Sequence, residues 1–151
     1  MSGFFEIGID HCKFPENLGT LWRSAYQLGA SGIFTIKRKS ALLVTDTTHS
    51  WRHIPLRCYV DVEELVRVLP RGMVLVGIEM AGVELQQFKH PRVACYVLGS
   101  EDNGLTNAMR DKCQEIVSIP AVRQVSYNVA VAGSIVMYHR MIQRRTTGEL
   151  I

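Results

Sequence analysis

Residues Val93 to Leu105 read Val-Ala-Cys-Tyr-Val-Leu-Gly-Ser-Glu-Asp-Asn-Gly-Leu. The first six form a continuous apolar run bounded by Pro91 and Gly99, the pattern of a strand covered on both faces in a parallel sheet. Parallel strands need crossover connections, so helices are expected between strands and on both faces of the sheet. Ligands in such sheets sit at the carboxyl ends of strands, where this run meets Gly99, Glu101, Asp102 and Gly104. Two readings follow. The turn is a strand-to-helix connection using the conformational freedom of glycine, or Gly99 lets a ligand approach the backbone while Glu101 meets a polar or cationic group. Neither G-x-G-x-x-G nor G-K-[ST] is present, which excludes a dinucleotide fingerprint and a phosphate loop.

Outward from this strand the elements alternate. Phe5, Ile7 and Ile9 alternate with Glu6, Gly8 and Asp10, predicting a first strand that ends near His11, with Pro15 beyond it. Leu18, Leu21, Trp22, Ala25 and Leu28 have helical spacing, with Asn17 as the expected N-cap and Gly29 as the stop. A second strand is expected from Gly32 to Ile36, and Lys37 to Pro55, without sustained period, reads as a long functional loop. Strands are predicted at Leu56 to Val60, Met73 to Ile78 and Ile116 to Ile119, the last stopped by Pro120. Asp61 should cap a short helix through Val68, and Thr106 another to about Cys113. Asn128 to about Arg145 is the longest helix, and its Val129 to Tyr138 part is apolar nearly all round, so burial on several sides is expected. The class is α/β with a mostly parallel sheet, as one domain over residues 1–151.

Composition agrees with an ordinary globular domain: 151 residues, 47% hydrophobic and 21% charged, far from the signature of disorder. A chain of this length buries enough surface to form a core without disulfides or a structural metal. Lys and Arg number 17 against 14 Asp and Glu, a net +3 that is compatible with a polyanion but below the footprint of a dedicated nucleic-acid binder. No apolar run approaches a membrane span, and the N-terminal residues lack a basic region and a long apolar stretch, so a cytoplasmic location is expected. Cys12, Cys58, Cys95 and Cys113 form no C-x-x-C pair and read as reduced, mostly core thiols, with no metal site. His11, His49, His90 and His139 carry no ligand spacing and receive no role.

Three segments occur in a telling order: Asn17-Leu18-Gly19-Thr20-x-x-Arg23-x-Ala25-x-x-x-Gly29, Val97-Leu98-Gly99-Ser100-Glu101-x-x-Gly104-Leu105, and Ile119-Pro120 followed by Ser126-Tyr127-Asn128-Val129-Ala130-Val131-Ala132. Together they resemble the three motifs of the SPOUT methyltransferases, SpoU/TrmH-type branch, over nearly the whole chain. The resemblance implies a sheet whose C-terminal part is threaded into a deep trefoil knot, an exception to the rule against knotted chains. It implies S-adenosylmethionine held by Ile78 and Glu79, by Leu98, Gly99, Ser100 and Glu101, and by Ile119, Val125, Ser126 and Asn128. It implies a metal-free RNA methyltransferase acting on a ribose 2′-hydroxyl, in tRNA or else rRNA, with Arg23, Asn17, Ser126 and Asn128 at the reacting centre. Arg23 would clamp a phosphate beside the ribose; its use as a base conflicts with a pKa above 12 and stays open. Between Pro120 and Asn128 the chain is one residue shorter than the usual third motif, and Tyr127 replaces the common aliphatic residue, so the register of Val125 and Ser126 is open by one.

Lys37, Arg38, Lys39, Arg52 and Arg140 are candidate RNA contacts beside Arg23, and Trp51 is a candidate for stacking on an unpaired base. The apolar Val129 to Tyr138 stretch predicts a homodimer through the C-terminal helix and the first-motif helix. The rival reading is an S-adenosylmethionine- or RNA-binding module of the same fold without catalysis; a base methylase of the same superfamily is a further alternative.

Overall fold

The computed structural model of the protein describes residues 3–37 and 53–148. Its elements run β1 (Phe4–Asp10), α1 (Pro15–Gln27), β2 (Gly32–Ile36), β3 (Leu56–Tyr59), α2 (Val62–Val68), β4 (Val74–Glu84), β5 (Val93–Leu98), α3 (Asn107–Lys112), β6 (Glu115–Ser118) and α4 (Val129–Thr146). The six strands form one sheet in the order β3-β2-β1-β5-β4-β6, every neighbouring pair parallel.

Both faces of the central strands are covered, as the unbroken run at β5 required. Ala94, Tyr96 and Leu98 point into one core with Ile7 and Ile9 of β1, Leu18 and Leu21 of α1 and Val136 and Met137 of α4. Cys95 and Val97 point into the other, with Phe34, Leu65 of α2 and Met109 of α3. Cys12 and Cys95 are buried, Cys113 is half-buried and Cys58 exposed; burial pushes the Cys113 thiol up to about 12, which leaves it unreactive.

Local capping chemistry sets the short helices. The Asp61 carboxylate accepts from the Glu64 amide, and the Thr106 hydroxyl from the Met109 amide. The start of α1 differs from expectation. The helix begins at Pro15, a residue suited to a first helical position, and Phe14 holds the cap position without a side-chain bond. Asn17 therefore lies inside the first turn, not at the N-cap, and its amide is available for tertiary bonds. Gly29, with φ of 87°, ends the helix as expected.

β4 runs past Ile78 to Glu84, and its pairing with β6 jumps register between Ile78 and Val83. Helix α4 is also less enclosed than its composition predicts. It packs on α1 and the sheet, but Val131, Tyr138 and Ile142 on its outer side are 47%, 55% and 39% exposed.

At the amino end of the sheet, His90 sits in a buried polar cluster. Its Nδ1 lies 2.6 Å from Tyr96 Oη and its Nε2 2.8 Å from His139 Nδ1, and Tyr96 Oη accepts from Arg140. Arg140, only 2% exposed, also donates to the carbonyls of Pro91 and Arg92. It is therefore a structural residue and not an RNA contact, because its guanidinium is enclosed by the fold. Burial, then the charges of His139 and Arg140, push the His90 imidazole down to about 3. The unfolded chain takes up this proton near pH 6.5 and the folded protein refuses it, so stability is full above that pH and falls as pH drops towards 3. Urea unfolding should show a loss of about 2 kcal/mol between pH 7 and pH 5 from this residue. His90→Gln should flatten that slope; an unchanged slope would remove His90 as its source.

Candidate functional site

The carboxyl ends of β4, β5 and β6 open into a cleft of about 480 Å³, within the roughly 300–1,000 Å³ range of small-molecule sites. Ile78, Leu98, Ile119, Val129 and Ala132 supply apolar wall, and Ser100, Ser118, Ser126 and Tyr127 supply polar groups. Every residue expected at the cofactor lines this cleft except Asn128, whose neighbours Tyr127 and Val129 do. Both Val125 and Ser126 line it, so the shorter third segment still reaches the cleft with either register. The Tyr127 hydroxyl donates to the Pro120 carbonyl at 2.8 Å and closes the 120–127 loop on itself.

Asn128 stands at the rim because it caps α4. Its Oδ1 accepts from the amides of Ala130 and Val131, while its Nδ2 donates to Asn17 Oδ1 at 3.0 Å. Asn17 Nδ2 in turn donates to Glu101 Oε1 at 2.8 Å. One chain of hydrogen bonds thus ties the three sequence segments together.

Glu101 also accepts from the amides of Lys13 and Phe14 at 3.0 and 3.3 Å. It supplies the cap that α1 lacks locally and places a negative charge at the positive end of the helix. Burial alone would raise its pKa; the bonds from Asn17, Lys13 and Phe14 outweigh that and hold the carboxyl below its usual range. The Lys13 ammonium bonds Asp102 across the same junction, and that partner raises its pKa. Glu79 accepts from the Leu105 amide and from Arg110, which pins the far side of the 99–105 loop. Glu79 and Glu101 therefore line the cleft with carboxylates already engaged by the protein.

The need for glycine at position 99 lies in the turn, the first of the two readings above, though as a close approach and not as an unusual backbone angle. A Cβ there would fall on the backbone of Gly104 and Leu105, because the Ser100 and Gly104 amides and carbonyls bond each other and fold the loop tightly back. The loop itself supplies this constraint.

Arg23 is exposed on α1 and is not among the residues lining this chain's cleft. Lys37 is exposed beyond β2 with φ of 64° and is likewise not on the cleft. Arg38, Lys39, Trp51 and Arg52, together with most of the expected loop, lie outside the described residues. Sequence reasoning gave no role to Asp10 and Lys13, and placed Asp102 at the strand end without a partner. Fully buried Asp10 receives the Thr106 amide and hydroxyl and fixes the end of β1 to the start of α3. An acidic residue closing an apolar strand was the one available signal. Among the described residues no group of three or more His, Cys, Asp or Glu could hold a metal, and no helix is long and apolar enough to cross a membrane.

A parallel α/β sheet with a ligand-sized cleft at its carboxyl edge, bordered by loops bonded to one another, defines an α/β protein with a candidate small-molecule site. The chain belongs to the SpoU rRNA Methylase family, whose model matches residues 5–138. It is 31% identical to YacO of Bacillus subtilis (strain 168), a protein named for the TrmH family of tRNA/rRNA methyltransferases, over 97% of this chain and 61% of that one. The chain spans about 60% of the length of the curated relatives it matches. The SpoU methyltransferase AviRb from Streptomyces viridochromogenes, solved in complex with the cofactor AdoMet, is 26% identical with a TM-score of 0.87, over 97% of this chain and 60% of that one. A structure solved for the 2-OH methylation of C/U34 on tRNA covers 97% of this chain and 99% of its own, with a TM-score of 0.82; at 23% identity the likeness is one of fold.

Proposed function

We propose that this protein is an S-adenosylmethionine-dependent RNA methyltransferase that modifies a ribose 2′-hydroxyl, with tRNA as the substrate. The carrying observation is the hydrogen-bonded line Asn128–Asn17–Glu101 beside the 480 Å³ cleft, which gathers the three motif segments at one rim. Family membership, the AdoMet-bound AviRb relative and the motif residues Asn17 and Arg23 support the same reading.

The cleft fits the cofactor chemically. Ile78, Leu98, Ile119 and Val129 offer apolar walls to an adenine, and the strand ends of β4, β5 and β6 offer backbone donors and acceptors. When bound, S-adenosylmethionine supplies a sulfonium-activated methyl group for in-line displacement by the ribose oxygen. The work left to the chain is to hold that oxygen in line and to assist loss of its proton. Arg23 holds the adjoining phosphate with its planar guanidinium, and Ser126 offers a hydroxyl at the ribose. Asn17, Glu101 and Asn128 fix α1, and hence Arg23, against the cleft loops. The C-terminal segment is read as threaded into a trefoil knot, a reading that family membership supports.

Because Arg23 does not line its own chain's cleft, the reading places two copies together, each presenting Arg23 to the other's cofactor. The exposed Val131, Tyr138 and Ile142 of α4 supply the apolar face for a closed two-fold pair. Light scattering at micromolar concentration should give twice the monomer mass, and a monomer would remove the shared site. The activity is tested by radiolabelled methyl transfer to total tRNA, followed by nucleoside mass spectrometry. A 2′-O-methylated nucleoside is expected; a methylated base would correct the reaction, and cofactor binding without transfer would favour the non-catalytic module.

A further inference from the structure

We propose that the rings of Tyr26 and His53 form a platform that stacks an unpaired base of the RNA strand beside the nucleotide held at Arg23. The proposal rests on the RNA reading above and assigns the strand a second contact. The two rings lie 4.4 Å apart between centroids and 12° from parallel. Tyr26 is 43% exposed and His53 is exposed, so this stacked pair lies at the surface and not in a core.

The platform is held from below. Buried Trp22, one helical turn before Tyr26, donates its indole Nε1–H to the Ile54 carbonyl at 3.1 Å, and the Pro55 carbonyl accepts from Ile33 of β2 at 2.9 Å. Ile54 itself is 8% exposed. The backbone following His53 is therefore fixed to both α1 and the sheet, which keeps the imidazole against the phenol ring.

Its position suits a nucleic-acid strand. Tyr26 follows Arg23 by three residues, so the two side chains are surface neighbours on α1. A cation followed by a ring stack matches the phosphate-then-base order of a single strand, and ring faces accept any base. The platform also stays clear of the α4 side of the helix. Ser24, which bonds Ser134 of α4 at 2.9 Å, precedes Tyr26 by two residues, and two residues rotate a helix by about 200°. The side of α1 that meets α4 is therefore not the side that carries Tyr26 and His53.

The test uses the full chain and a single-stranded oligoribonucleotide carrying 2-aminopurine, whose fluorescence is quenched by stacking. Tyr26→Ala and His53→Ala should each weaken binding by on the order of tenfold and reduce quenching, with cofactor affinity by calorimetry unchanged. In transfer assays KM should rise while kcat at saturation holds. Tyr26→Phe, which keeps the ring, should restore binding; a purely structural part for the pair would move stability without this split. Equal affinity and quenching in Tyr26→Ala overturns the platform alone. A wild-type chain that binds cofactor but no oligonucleotide overturns the RNA reading and the platform with it.

Discussion

Arg23→Ala should keep the fold and the affinity for S-adenosylmethionine yet slow methyl transfer by on the order of a hundredfold or more, the scale of losing one preorganised charge at a reacting centre. Arg23 is exposed on α1, on the side away from Leu18, Leu21 and Ala25, which face the core. Removing an exposed side chain of this kind costs roughly half a kcal/mol or less in stability. Arg23→Lys should recover little, because an ammonium cannot reproduce the planar, two-point grip on phosphate. The proposed pairing adds a mixing experiment. Ala121 is exposed at the cleft, so Ala121→Trp should fill the cofactor site without disturbing the core. Mixed with Arg23→Ala subunits, it should restore transfer in the heterodimers at one of their two sites, since each carries one intact cleft opposite one intact arginine. Single-turnover rates on a known RNA substrate provide the measurement, and near-normal transfer by Arg23→Ala would sink the assignment of this residue.

Gly99→Val should abolish detectable cofactor binding in calorimetry. Its Cβ falls on the backbone of Gly104 and Leu105, atoms that cannot rotate aside. Leu105 is itself held by Glu79, and Gly104 has a φ of +67° that few other residues adopt. The loop must reopen, carrying Leu98, Ser100 and Glu101 away from the cleft and loosening the cap on α1. Gly99→Ala introduces the same Cβ and should act in the same direction. Urea unfolding separates the local effect from global loss of structure. A folded Gly99→Val protein with unchanged affinity would move the cofactor site away from this loop.

The elements that local chemistry governs were readable along the chain. The run Val93–Leu98, the caps at Asp61, Thr106 and Asn128, and the stop at Gly29 stand where periodicity and capping put them. These signals act over a few residues, within reach of one turn or one pleat. The cleft was also indicated in outline, because strand ends were expected at Ile78, Leu98 and Ile119, where a parallel sheet leaves room for ligand, although β4 runs on to Glu84 and β6 stops at Ser118. The family motifs added which residues stand there.

What the tertiary structure alone decided depends on partners remote in the chain. Asn17 reads locally as a cap, but Pro15 starts the helix earlier and leaves its amide to bridge Glu101 and Asn128, 84 and 111 residues away. Arg140 reads as a surface cation until Pro91, Arg92 and Tyr96 enclose it, and His90 carries no motif because its partners come from another strand and another helix. The strand order β3-β2-β1-β5-β4-β6 follows from which apolar faces can be covered at once, a property of the whole packed molecule and of no single segment. Capping and periodicity are local energies and can be read residue by residue. The polar contacts that shape this site exist only after folding has brought distant segments together.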